Sequence, residues 1–289
     1  MRRFGRALAT AALAVAVVAG TAGWAAGDSV QAAVTGPPPG ASAWRADSAS
    51  GRPLPEPATA SAYEVARFLA ALDEAGRRGP VRRHPLVVGN LDGAPVALRY
   101  EANRLAVAAS GRARFASLAA PGRQVLAFDP RGRGQVAEVL GDLERAAHVA
   151  VVLPGSDDDA ASYGAGRAPH TGPAGMARSL HAAAGGETAV VAGTGYTTPV
   201  GVGLDAATGR LAEAGAVRLA RFTAGLDAVR IADVPNVAFA GRGHGADPTS
   251  RAFGARTVPA SDVQGHTGYF VPGTRSLAAF AAIAKGEAQ

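Results

Sequence analysis

The apolar positions of this chain fall into short β-branched runs separated by longer stretches of helical spacing. Val149 to Leu153 are five consecutive apolar residues leading into Pro154-Gly155-Ser156, a pattern that predicts a central parallel strand ending in a tight loop. Gln124 to Phe128 and Gln135 to Leu140 flank the turn Pro130-Arg131-Gly132-Arg133-Gly134 and predict a hairpin. Thr188 to Ala192, ending in Gly193-Thr194-Gly195-Tyr196, and Asn236 to Ala240 predict two further strands. Helical spacing covers Gly175 to Ala184, Gly209 to Leu226 and Arg275 to Ala284. Strands alternating with helices give an α/β fold: a mostly parallel sheet flanked by helices and led by an antiparallel hairpin.

Upstream of the sheet, Ser61 and Glu64 stand in capping-box positions, and Val65, Phe68, Leu69 and Leu72 share one face of a helix that Gly76 or Gly79 would end. A turn at Asn90 to Gly93 precedes a helix from Pro95 to Val107, in which Asn103 and Arg104 are placed to cap or to bridge to the main domain.

The N-terminus changes the picture of where the protein works. Arg2, Arg3 and Arg6 precede an uncharged Ala- and Val-rich stretch from Ala7 to Gly27, the plan of a signal peptide. An uncleaved membrane anchor over residues 7–26 is the alternative, since about 20 apolar residues suffice to span a bilayer. Either way the expected location is secreted or cell envelope. Residues 28–60, with Gly36-Pro37-Pro38-Pro39-Gly40 at their centre, read as a disordered linker. The division is then 1–27 signal peptide or anchor, 28–60 linker, 61–118 helical segment and 119–289 α/β domain.

Composition adds mainly exclusions. The chain has 289 residues, no cysteine and a formal charge of +6. Without cysteine there is no disulfide, thiolate zinc site or cysteine nucleophile. The arginines are scattered and not interleaved with aromatics, so nucleic acid is not an expected partner. His148, His170 and His181 lack metal-ligand spacing, and no cofactor is implied. Gly155 and Ser156 are the candidates for an oxyanion loop, because backbone N–H groups at such a strand end can face developing negative charge. Tyr196 is placed to line the adjoining pocket. Asp157-Asp158-Asp159 reads as a solvated acidic turn, with helix capping or calcium as rivals. Arg131 and Arg133 read as exposed hairpin-turn residues, with a grip on an anion as the rival.

The ordered series GNLDGAPVALRYEANR, LAFDPRGRG, HVAVVLPGSDDD, AGTGYTTP, GLDAATGRLAEAG, GHGADPTSRAFGAR and GHTGYF resembles the actinobacterial α/β-hydrolases grouped as domain of unknown function 1023, over roughly Val81 to Lys285. The resemblance implies an α/β-hydrolase fold, serine-type ester or amide hydrolysis, and a small acyl or ester ligand. It places the general base at His266, with His244 as a rival read as structural. The family's nucleophile elbow follows the helix matching Gly209 to Leu226, yet here only Asp227 to Pro235 separates that helix from the last strand. Those nine residues are too few for a strand, an elbow and a crossover. No serine stands in a G-x-S-x-G frame.

The core is therefore expected to be truncated, with no nucleophile identified and no acid assigned to Asp227 or Asp233. The strand at Thr188 is expected to pair directly with that at Asn236, or to leave a poorly covered edge. Three readings follow: a hydrolase using a displaced serine such as Ser156 or Ser162, a non-catalytic envelope binding protein, and a deletion product that folds badly.

Overall fold

A computed structural model describes residues 30–164, 168–201, 203–228, 258–265 and 268–287. Ahead of the sheet lie α1 (Ala41–Ala46), α2 (Ala62–Ala70), α3 (Glu74–Arg83), α4 (Pro85–Gly89) and α5 (Val96–Ala109), followed by a 3-10 helix over Ala113–Ala119. The capping box opens α2: Glu64 N–H donates to Ser61 Oγ at 3.2 Å, and Ser61 N–H donates to the Glu64 carboxylate at 2.7 Å. α2 stops at Ala70, before either expected glycine. The chain restarts because Asp73 accepts the Gly76 amide at 2.7 Å as an N-cap, which puts Gly76 and Gly79 inside α3. Arg77 Nε donates to the Leu69 and Leu72 carbonyls at 2.9 and 2.8 Å, satisfying the open end of α2 from the next helix.

Residues 30–60 are packed, in contrast to the linker their composition suggests. Trp44 on α1 is 1% exposed among Val65, Val81 and Val87, and its indole donates to Pro55 O at 2.7 Å. Further upstream Gln31 N–H donates to Asp205 at 2.7 Å, Val34 N–H to Thr197 Oγ1 at 3.0 Å, and Arg131 Nη1 to Thr35 O at 2.9 Å. The prolines and glycines shape a strap whose polar backbone groups find partners across the domain.

The sheet contains β1 (Val125–Asp129), β2 (Gln135–Leu140), β3 (His148–Val152) and β4 (Thr188–Gly193), in the order β1-β2-β4-β3. The hairpin β1–β2 is antiparallel, as its turn predicts, and β3–β4 is parallel. β2 and β4 are antiparallel, so the described sheet is mixed. β3, expected at the centre, is the end strand among the described residues. An apolar run marks burial, but it carries no information about neighbour order, and here β2 reaches past β3 to pair with β4. Both edges of β4 are thereby occupied, which excludes the expected pairing of the Thr188 strand with the Asn236 strand. Residues 236–240 lie outside the described residues.

The remaining helices are α6 (Gly172–Ala184), α7 (Leu204–Ala207), α8 (Arg210–Ala228) and α9 (Arg275–Ala284). One sheet face, with Phe128, Val136, Val190 and Val152, is filled by α6, α9 and the aromatics Phe115, Tyr163, Phe270 and Phe280. The other face, with Ala127, Ala137, Ala189 and Val191, meets Phe222 and Leu226 of α8. Phe115, Phe128, Tyr163, Phe270 and Phe280 are thus gathered on the first of these faces.

The edge of β1 opposite β2 is closed by side chains. Asn90 Nδ2 donates to Phe128 O at 2.6 Å and Asn103 Nδ2 to Val125 O at 2.9 Å, answering strand carbonyls that would otherwise invite another chain. Asn103 also holds Gly89 O at 3.0 Å, and a side chain at Gly89 would lie 2.0 Å from the Asn103 carboxamide. Within the same motif Asp92 is 6% exposed and pairs with Arg99 of α5 at 3.4 Å and with Arg218 of α8 at 2.5 Å. The GNLDG…RYEANR stretch is therefore a latch joining the helical segment, the sheet edge and α8.

Candidate functional site

The chemistry expected of this fold lies where β3 and β4 end. Gly155 and Tyr196, chosen from sequence, do come together: Tyr196 Oη donates to Pro154 O at 3.0 Å and to Gly155 O at 2.8 Å. Burial, and secondarily Asp158, push the Tyr196 phenol up to about 12, so it stays a neutral donor. Ser156 follows Gly155 and is buried. His266, the expected base, lies outside the described residues, as do His244 and Asp233.

The loop from Asp157 to Ser162 is tied down on both sides. Asp157 N–H donates to Pro199 O at 2.8 Å, and Gly201 N–H donates to Asp157 Oδ1 at 2.8 Å. These two bonds hold Asp157 at φ 63, a left-handed conformation unusual for a residue with a side chain. Thr198 Oγ1 donates to Asp158 O at 2.5 Å. On the hairpin side Arg133 donates to Asp157 O at 3.0 Å and pairs with Asp159 at 3.2 Å. Arg131 pairs with Asp129 at 2.6 Å. The two arginines read as exposed turn residues are clamps, because the turn lies against the loop after β3 and the strap.

Asp157 to Asp159 are likewise a structural loop. Asp159 Oδ1 accepts from the amides of Ala161 and Ser162 at 2.8 Å each, and Asp159 N–H donates to Ser162 Oγ at 2.9 Å. Ser162 has Gly164 two residues on, but Ala160 where the elbow frame has its first glycine, and it sits in a turn, not at a strand-to-helix elbow. Among the described residues no group of three or more His, Asp or Glu side chains could hold a metal ion.

The electrostatics of the loop are set by its acidic run. Three carboxylates cluster in the loop, and burial, with Asp157 and Asp159 adding repulsion, pushes Asp158 up to about 7. The sign for stability follows directly. The carboxyl is protonated in the fold where it would ionise in the unfolded chain, so its stabilisation is complete below pH 4 and lost as pH rises through 7. Asp158→Asn is expected to flatten the unfolding free energy between pH 4 and 7 and to stabilise the protein at pH 8 by at least about 1 kcal/mol, read by urea denaturation. An unchanged pH dependence would show that Asp158 is already ionised in the fold.

Beside this loop a cavity of about 630 Å³ opens between the alanine-bearing sheet face and α8. Gly155 and Tyr196 stand on its lining; Ser156 does not. Ala127, Ala137, Val151 and Val191 supply the sheet wall, and Ala216 and Phe222 the helix wall. α8 approaches the body closely at two glycines. A side chain at Gly215 would meet Tyr196 Cβ at 2.5 Å, and one at Gly225 would meet Asp92 Cβ at 2.8 Å. Sequence reasoning missed this cavity, although Gly215 and Gly225 in the helix across from the sheet were an available signal.

α8 extends to Ala228, so only residues 229–235 separate it from the expected last strand, two fewer than the sequence reading allowed. A family profile described as Alpha/beta hydrolase matches residues 129–282, just over half of the chain. No curated protein and no solved structure matches. The profile begins at the end of β1 and runs through β2, β3, β4 and α8 into α9. On the match and the sheet together, the chain belongs to the alpha/beta hydrolase family.

Proposed function

We propose that this chain is an exported member of the family that binds a small acyl or ester-like ligand and does not hydrolyse it. The observation that carries this reading is the loop after β3, where the acidic run Asp157 to Asp159, tied into the loop by Gly201 and Ala161, directly follows Gly155 and Ser156. The sequence supports it, since no serine in the chain has a G-x-S-x-G frame. Without a hydroxyl for a base to activate, acyl-serine chemistry has no first step. The cavity beside Gly155 and Tyr196 supports binding as the retained role. Export rests on the basic residues and the apolar run that open the chain. Among the described residues no helix is long and apolar enough to cross a membrane, and residues 7–26 lie outside them.

The test is labelling of the purified protein with a fluorophosphonate probe, followed by peptide mapping. No labelled serine is expected, and ester hydrolysis should equal the buffer rate. Stoichiometric labelling of one serine, Ser156 or Ser162 in particular, would establish a displaced nucleophile.

A further inference from the structure

The cavity under α8 permits a narrower statement about its occupant, resting on the binding role proposed above. We infer that it takes an uncharged, largely aliphatic molecule carrying a single hydroxyl or carbonyl group, such as a long-chain alcohol or ester, and rejects the corresponding carboxylate.

Charge is the first argument. The acidic and basic side chains on the lining are already engaged with one another or with backbone. Asp92 is held by Arg218, Asp129 by Arg131 at 2.6 Å, and Asp205 by Arg210 at 2.6 Å. Arg221 donates to the carbonyls of Pro57, Ala58 and Ala60. A charged ligand entering this space would have to draw a side chain away from partners it already holds, Arg221 from its three carbonyls included, and burying a charge left unpaired is costly. An uncharged ligand meets no such penalty.

Shape and polarity give the rest. The sheet wall of Ala127, Ala137, Val151 and Val191 and the helix wall of Ala216 and Phe222 are apolar, which suits an aliphatic body. The opposite sheet face packs the rings of Phe115, Tyr163, Phe270 and Phe280 against it instead. The cavity is also fixed in width, since α8 is seated at Gly215 and Gly225 on either side of Ala216 and Phe222. Gln135, on the lining at the start of β2, has its Nε2 buried without a partner among the described residues. The terminal torsion of an amide is broad, so a small rotation offers it to the cavity. An oxygen of the occupant would supply the missing acceptor.

The experiment is a titration of the full chain with the neutral fluorophore N-phenyl-1-naphthylamine, followed by displacement with dodecan-1-ol and with dodecanoate at pH 8. Saturable one-to-one binding is expected, with dodecanol displacing the probe at a concentration at least about tenfold lower than dodecanoate. Ala216→Phe, on an exposed lining position, should reduce probe affinity at least about tenfold while leaving the far-ultraviolet spectrum and melting temperature unchanged. Gln135→Leu should keep probe affinity within about twofold and weaken dodecanol about tenfold, one hydrogen bond's worth.

Equal displacement by dodecanoate, or unaltered probe binding in a folded Ala216→Phe protein, would overturn the assignment. Should Ala216→Phe fail to fold, the ratio of dodecanol affinities between wild type and Gln135→Leu decides alone, and a ratio near one rejects the site. Absence of saturable probe binding rejects the cavity and leaves the lack of hydrolysis standing. A fluorophosphonate-labelled serine does the reverse.

Discussion

Replacing Asp92 by alanine is expected to destabilise the protein by about 3–5 kcal/mol, the range for removing one partner of a buried ion pair. Arg99 is 2% exposed, and burial depresses its guanidinium to about 10, with Asp92 opposing that shift and Arg218 adding to it. Taking the carboxylate away leaves two guanidiniums facing one another, one of them in the core. Arg99 Nε has a carbonyl acceptor in Gly89 at 3.3 Å, but Nη2 depends on Asp92, at 3.4 Å. The same substitution frees α8 from the latch, so Phe222 and Leu226 should lose packing as well. Urea denaturation followed by circular dichroism gives the number. A loss below about 1 kcal/mol would show that the cluster contributes position and not stability.

The second large effect is expected at Trp44. Truncation to alanine removes a 1% exposed indole, its bond to Pro55 O and its edge contact with the His84 ring at 5.6 Å. Large aromatic-to-alanine changes in a core cost about 3–5 kcal/mol. The expected signature is local as well as global: limited trypsinolysis should begin at Arg45 and Arg52 well before the sheet is cut, because the strap loses the anchor that orders it. Wild-type cleavage rates at both sites in Trp44→Ala would refute an integral role for residues 30–60.

The two predictions fall on features with different legibility. Regular elements were readable wherever one physical signal dominated. β1 and β2 announced themselves through flanking a Gly-rich turn, the start of α2 through Ser61 and Glu64, and α9 through its spacing; β2 and α9 have the limits expected, and β1 lies one residue later. What failed to show depended on long-range partners. The order of β3 and β4 could not be taken from two equally apolar runs. The strap looked disordered because Pro and Gly content reports local stiffness and freedom, whereas its order comes from Asp205, Thr197 and Arg131, far away in sequence. Near the cavity, the placement of Gly155 and Tyr196 was legible because each follows the end of a strand. Arg131, Arg133 and the aspartates were misread as solvated because their partners are one another. The cavity was invisible for a related reason: small side chains indicate tight packing or empty space equally well, and only the seating of α8 decides.

The asparagine closure of β1 has a consequence for how this sheet can vary. With Phe128 O and Val125 O answered by Asn90 and Asn103, and with β2 and β4 each flanked on both sides, the sheet among the described residues has a sealed margin at β1 and an open one at β3. Strands can be gained or lost beyond β3 without disturbing a ladder already made on the hairpin side. On the hairpin side any change must preserve the two asparagine bonds, so the latch, the hairpin and the cavity wall stay in register with one another.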